Sequence, residues 1–464
     1  MNRILNEEFD WQRCPTVATQ VAKRVDEIVR EIRFASCLRR RMKDETGTRF
    51  TDWVDHLCLP FNDSLSVKLE ELGYVRVDQE VNQEAWRHPR AMVPAIRLRE
   101  HSTVDVWLKV DSVSDFLQAH DLDGVVIGGE PAAQVRTAMV AHEANCRLAV
   151  IERHGEAGFQ WEAEASNGGA DVVTALAEHR AAFFSRPRVF TDRDSDRSGV
   201  SGFEQTHRLL SSAIQDLGTN RVCDLFFESE RCYWESRNHA ARVQRRRQGK
   251  LGLGWANHDH HTYRSSRESF AQMIGLFELL GLNCRERFYG GAEAGWGAQV
   301  LEQPHAGIVI FADVDLSPDE VTEDFAHDGL VSRGELGTVG LWCKLHGEAI
   351  FEAGMHHLEC QFDFDAACVQ LADVGIRSMK PFTDFEYLRQ AFTVGEIWKV
   401  DARRLRSLRE GGQISSQQEE HFFNEGSVGS HLEILQRDEG YKGFNQTGIS
   451  EIILATDPRH RGPA

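Results

Sequence analysis

The chain has 464 residues, 41% of them hydrophobic and 27% charged, and a net charge of −19. The length predicts more than one domain, and the acidic balance argues against a nucleic-acid partner, which needs a basic surface. Ten scattered cysteines without a CxxC pair, no basic-then-apolar amino terminus and no apolar run of about 18 residues predict reduced thiols, a cytoplasmic location and no membrane partner.

Residues 1–100 read as a helical N-terminal region. Val17, Val21, Val25, Ile28, Val29 and Ile32 recur at helical spacing, so one amphipathic helix is expected over residues 15–45. "SLSVKLEELG" predicts a second helix, closed by Gly73. Residues 101–183 carry a strand ("VDVWLKV"), a helix ("SVSDFLQAHDL") and three strands ("DGVVIGG", "VRTAMVAHE", "CRLAVIERHG"). Residues 184–256 read as linker and helices. The polar, glycine-bearing stretch 184–202 comes first, and a helical stretch from 206 to 247 ends in the solvated "RRRQGK".

The same order of elements returns twice within residues 257–464. "HDHHTYRSS" is a strand and "SFAQMIGLFELLGL" a helix, followed by the strands "CRERFYGG", "GWGAQVLE" and "GIVIFADVDL". Then "HHLECQFD" is a strand and "FDAACVQLADVGI" a helix, with later strands "EIWKVDA" and "SHLEILQRD". Three approximate β-α-β-β-β units define an α+β protein built from tandem modules. The last two modules are expected to pair around a shared metal-holding cup. The first has no histidine at the corresponding position of "VDVWLKV" and is expected to hold no metal.

Strand alternation places His258 and His260 on one face with Thr262 and Arg264, and Asp259, His261 and Tyr263 on the other. A metal in the cup would draw ligands from the first and last strands of the paired units, where His260, His357 and Glu433 stand. Two imidazoles and one carboxylate leave coordination positions open on iron(II) or manganese(II). His258, His261, His356, His421 and His431 compete for the histidine positions, and Glu439 competes with Glu433. Asp313 or Asp315 would supply a fourth carboxylate or a strand-end hydrogen bond. Arg264 shares a face with His260 and suits an anionic ligand. Arg437, four residues past Glu433, is either a second anion contact or a salt bridge at the rim.

The tandem units resemble the vicinal oxygen chelate superfamily. More narrowly, residues from about 205 to 455 resemble the 2-oxoadipate dioxygenase/decarboxylase family, which includes hydroxyglutarate synthase. "DHHTYR" matches that family's Asp/Arg-His-x-x-x-Arg strand, and "GSHLEILQR" matches its strand with a Glu followed by an Arg. "HHLECQ" matches its Asn-His-Leu-Thr-Pro-Arg strand in part, with Glu359, Cys360 and Gln361 in place of Thr-Pro-Arg. The resemblance implies Fe(II) held by His260, His357 and Glu433, and a substrate carboxylate held by Arg264. It implies a small-molecule 2-oxo acid and O2 as partners, with a 2-hydroxy acid as product. An extradiol-type ring-cleaving dioxygenase would use the same ligand set, with His431 and Trp398 available to it. A non-catalytic small-molecule-binding protein could be built on the same modules.

Overall fold

The computed structural model of the chain describes residues 11–80, 83–158, 170–189, 201–292 and 294–459. Val17, Val21, Val25, Ile28 and Val29 form the buried stripe of α1 (Pro15–Glu31). The single helix expected over 15–45 is broken at Ile32, which is extended and fully buried before α2 (Arg33–Arg41). The break frees the Val29 carbonyl, which accepts from the Ser36 hydroxyl at 2.8 Å.

Helical character in the N-terminal region gives way at Val54. The chain then forms β1 (Val54–Pro60), α3 (Asp63–Glu71), β2 (Val75–Glu80), β3 (Gln83–Arg87) and β4 (Ala95–Arg99). This is a β-α-β-β-β unit that the helical reading of residues 1–100 did not contain. The expected next unit follows as β5 (Val104–Lys109), α4 (Val113–Ala119), β6 (Ile127–Gly128), β7 (Val135–Glu143) and β8 (Cys146–Arg153). The two units share one sheet in the order β2-β3-β4-β1-β5-β8-β7-β6, their first strands meeting antiparallel in the middle.

Among the described residues, four helices lie between this pair and the next: α5 (Ala170–Phe184), α6 (Gly202–Leu217), α7 (Thr219–Ser236) and α8 (His239–Gly249). Most of the expected linker, 184–202, lies outside the described residues. Helix α7 is buried on several sides, because its Phe226 and Phe227 enter the core while Arg231 reaches the back of the second sheet.

The second pair begins with β9 (His258–Arg264), α9 (Phe270–Leu279), β10 (Asn283–Tyr289), β11 (Trp296–Gln303) and β12 (Ile308–Asp315). After α10 (Thr338–His346) come β13 (His357–Gln361), α11 (Phe364–Ala372), β14 (Thr383–Phe385), β15 (Leu388–Phe392) and β16 (Glu396–Trp398). The chain closes with α12 (Ala402–Glu410), α13 (Ser416–Glu425), β17 (Ser427–Arg437) and α14 (Gln446–Ala455). The sheet order is β10-β11-β12-β9-β13-β17-β15-β14, with β16 paired to β17 off this path. Within each of these two modules the first and last strands run parallel, and the two first strands, β9 and β13, meet antiparallel. The hairpin β14–β15 takes the inner-strand place expected of "EIWKVDA", of which only three residues are strand.

The fold is therefore α+β, made of tandem β-α-β-β-β modules of the vicinal oxygen chelate type with helices at the N-terminal end. Among the described residues, no helix is long and apolar enough to cross a membrane.

Candidate metal centre

The pairing of β9 with β13 holds an irregularity that decides which histidines face the cup. Thr262 pairs with His357, His261 with Leu358 and His258 with Cys360, so both Asp259 and His260 stand opposite Glu359. One extra residue on β9 is a β-bulge. Beyond it, strict alternation no longer holds. Asp259 joins His260 in the cup, and His258 turns to the far side with His261, ring centroids 5.2 Å apart. There Arg231 of α7 lies 3.3 Å from His261 Nε2. The expected grouping of His258 with His260 and of Asp259 with His261 is corrected by this bulge.

His260, His357 and Glu433, all buried, offer ligand atoms within 4.8 Å of one another. They come from the first strand of one module and the first and last strands of the next. His357 Nε2 lies 3.0 Å from Glu433 Oε2 and 2.8 Å from the Thr262 hydroxyl. Its Nδ1 lies 2.9 Å from Nδ1 of His356. His260 Nδ1 lies 2.9 Å from Glu359 Oε1 and 3.6 Å from Asp259 Oδ1. Both are ion-pair distances without a hydrogen bond to Nδ1, and Nε2 is the nitrogen that remains for a metal. Two imidazoles and a carboxylate at this spacing fit a divalent first-row metal.

Glu359 is the site residue that sequence reading missed. It was set aside as a replacement for threonine, yet strand alternation from His357 places it in the cup, and that was the available signal. It lies in register beside Glu433 on the parallel strands β13 and β17. Asp259, His260 and Glu359 form a second group of potential ligands. The guanidinium of Arg437 already sits there, with its Nε and Nη2 at 3.2 and 3.1 Å from the Asp259 carboxylate and Nη2 at 3.5 Å from Glu359. Arg437 also donates to the Gly443 carbonyl. Burial raises Asp259, but Arg437 and His260 outweigh it and hold that carboxyl well below the usual range. Burial likewise opposes the charge on His260, yet Glu359 and Asp259 lift it to about 9. A metal arriving at Nε2 would displace that proton.

Arg264 occupies the opposite end of the cup. It is 1% exposed, and its Nε, Nη1 and Nη2 have no hydrogen-bond partner among the described residues. The Asp313 carboxylate lies 3.8 Å from its Nε, beyond hydrogen-bond reach. Burial pushes Asp313 up to about 7 despite that neighbour. Asp315 is not available to the cup, because it accepts from the backbone N–H groups of Gly337, Val339 and Gly340 at the start of α10. His421 and Glu439 lie away from the site, the first with Glu425 on α13 and the second with Arg13. Phe311 and Phe392 wall the ligand rings, at 4.4 Å from His260 and 4.8 Å from His357.

Sheet order and ligand placement together define a vicinal oxygen chelate fold with a candidate metal centre in the second of its two cups. No family model and no curated protein matches the sequence. Among solved structures, a triple mutant of 4-hydroxymandelate synthase from Streptomyces coelicolor is 10% identical, covering 88% of this chain and 98% of its own at a TM-score of 0.28. A putative hydrolase from Shewanella frigidimarina NCIMB 400 is 13% identical over 46% of this chain and 92% of its own, at a TM-score of 0.33. The Mn(II)-bound glyoxalase from Novosphingobium aromaticivorans is 10% identical over 84% and 83%, at a TM-score of 0.19. These overlaps are too low to carry a functional assignment, and the fold is defined by the chain's own topology.

Proposed function

We propose that the chain is an iron(II)-dependent dioxygenase/decarboxylase that converts a 2-oxo acid of the 2-oxoadipate class, with O2, to a 2-hydroxy acid and carbon dioxide. The observation that carries this reading is the pairing of a convergent His260–His357–Glu433 set with a buried Arg264 guanidinium whose N–H groups have no hydrogen-bond partner among the described residues. A buried guanidinium without hydrogen bonds is costly unless a ligand supplies acceptors, and a carboxylate matches its fork. Iron(II), when bound, supplies open coordination positions and redox chemistry with O2.

The protein's own groups do the positioning. Arg264 takes the substrate carboxylate and fixes its orientation. Glu359 and Asp259 flank the His260 ring as ion-pair neighbours, while His356 holds that of His357 through Nδ1. Phe311 and Phe392 keep water from the ligand rings. Arg437 acts through Asp259 and Glu359 as a positioning residue rather than as a substrate contact.

Anaerobic purification with metal analysis, followed by oxygen uptake over a panel of 2-oxo acids and catechols, tests this. Stoichiometric iron with uptake on a 2-oxo acid supports it. Uptake on a catechol alone replaces it with extradiol ring cleavage, for which the buried imidazoles of His356 and His431 are the favouring observation. A protein that takes up no metal on reconstitution would be a binding protein on the same modules.

A further inference from the structure

His431 lies in register with the ligand His357 on the neighbouring parallel strand, fully buried. Its Nδ1 is 2.8 Å from the Thr393 carbonyl oxygen. A carbonyl can only accept, so Nδ1 carries the proton, and Nε2 of the neutral ring presents a lone pair. The ring cannot easily turn. It stacks on Phe392 at 4.8 Å and 23°, and a Cβ added at Gly395 would stand 2.9 Å from its Cε1. Thr393 is itself pinned, its N–H donating to the Leu432 carbonyl and its hydroxyl accepting from the Leu432 N–H. Yet His431 Nε2 has no hydrogen-bond partner among the described residues. A fixed, buried acceptor left without a donor carries the full cost of its desolvation.

Other unpartnered groups surround it. His356 lies 5.2 Å from His431 between ring centroids, and its Nε2 is also without a partner. Trp342 ties these groups to the guanidinium, its ring lying 5.6 Å from Arg264 Cζ and 5.6 Å from each of the His346 and His356 rings. With His357 Nε2 turned to Glu433 and committed to a metal, its Nδ1 holds the proton and donates to His356 Nδ1. His356 is then a donor at Nε2. The Arg264 end of the cup thus offers a guanidinium fork, one imidazole N–H and one imidazole lone pair.

Resting on the metal-site reading above, we propose that His431 is a specificity-determining acceptor and that the ligand of this cup is a carboxylate that also carries a hydroxyl. The carboxylate pairs with Arg264, and the hydroxyl donates to Nε2 of His431. A 2-hydroxy acid or an enolised 2-oxo acid meets this pattern, and a plain carboxylate does not. A site built to hydrogen-bond a hydroxyl discriminates strongly against the analogue that lacks it.

Calorimetric titration of the metal-loaded protein, kept anaerobic, with 2-hydroxybutyrate against butyrate, 2-hydroxyglutarate against glutarate and 2-hydroxyadipate against adipate tests this. The expected result is a preference of about tenfold or more for the hydroxy acid in at least one pair. His431→Phe should bring that ratio near one while leaving deoxy-acid affinity and metal content unchanged. His431→Gln, whose side-chain carbonyl can still accept, should keep part of the preference. If His431→Phe does not fold, His431→Leu serves the same comparison. Equal affinity within every pair, absence of binding by every acid, or a preference that survives His431→Phe would overturn the assignment. Binding is read without turnover, so a preference lost in His431→Phe upholds this inference even where no oxygen uptake is found and the oxygenase reading falls.

Discussion

Glu359 and Glu433 stand side by side on β13 and β17, and the single amide of Gln390 donates to both, at 2.9 Å and 3.2 Å. Burial, with Glu359 as its close neighbour, pushes the Glu433 carboxyl well above the usual range. The metal-free protein therefore keeps a proton there that a cation would replace.

Replacing Glu433 with Gln should stabilise the metal-free protein while abolishing metal uptake. A carboxyl raised in the folded state contributes stability below its ordinary value of 4.5 and loses it as pH rises through the folded value. The gain from Glu433→Gln should vanish near pH 4 and reach on the order of 1 kcal/mol at neutral pH. Thermal melts of chelated protein across that pH range check it.

His260→Ala and His357→Ala should each lose most bound metal and still fold. A ligand that binds only the native state at about 100 times its Kd adds roughly 2.7 kcal/mol. Chelation should therefore lower the Tm of the wild type and leave the two variants unmoved. Full metal occupancy in His260→Ala would remove that residue from the ligand set.

Arg264→Met removes a buried cation that has no hydrogen-bond partner among the described residues. The expected outcome is an unchanged or higher Tm together with a substrate loss of about 2–5 kcal/mol. Arg264→Lys should keep charge, lose bidentate geometry and fall between the two in KM. A Tm drop with unaltered kinetics would make Arg264 a structural partner of Asp313.

Arg437→Met should behave in the opposite way. It strands the buried carboxylates of Asp259 and Glu359, so stability should fall by about 3–5 kcal/mol. Metal content should fall with it, because the carboxylates behind His260 lose their counter-ion. Urea unfolding and metal analysis of the soluble fraction give both readouts.

His154 predicts an alkaline limit where the first sheet meets α7. Its Nε2 lies 2.7 Å from Glu152 and its Nδ1 2.9 Å from Asp224, joining β8 to α7. Burial opposes its charge, but the two carboxylates raise it to about 9. This stability is fully present below the ordinary value of 6.5 and is lost as pH rises through about 9. A fall of about 2–3 kcal/mol between pH 6.5 and 10 is expected, and it should be absent in His154→Gln. A wild-type profile parallel to that of the variant would contradict it.

The modular plan was legible because one order of strand, helix and strands recurs along the chain and the strands are bounded by glycine-bearing turns. The module at Val54–Arg99 escaped notice since "VDHLCLP" follows the long amphipathic α1 and the short α2, whose pattern dominates that region. The hairpin β14–β15 escaped because Gln390 puts a polar residue at a buried place and Phe385 an apolar one at an exposed place, on so few residues. His260, His357 and Glu433 could be picked out as candidates from their places on first and last strands, and the structure brings their ligand atoms within 4.8 Å of one another. The company they keep could not. Counting by twos along β9 fails at an inserted residue, and only the register with β13 reveals where the insertion lies.

That insertion separates two properties that would otherwise compete for one position. Shortening β9 by Asp259 would leave His260 opposite Glu359 and remove the carboxylate that pairs with Arg437. A single added codon thus supplies a counter-ion without displacing a ligand. A change of length in this strand, more than a change of residue type, would retune the charge behind His260 while keeping His260 in the cup.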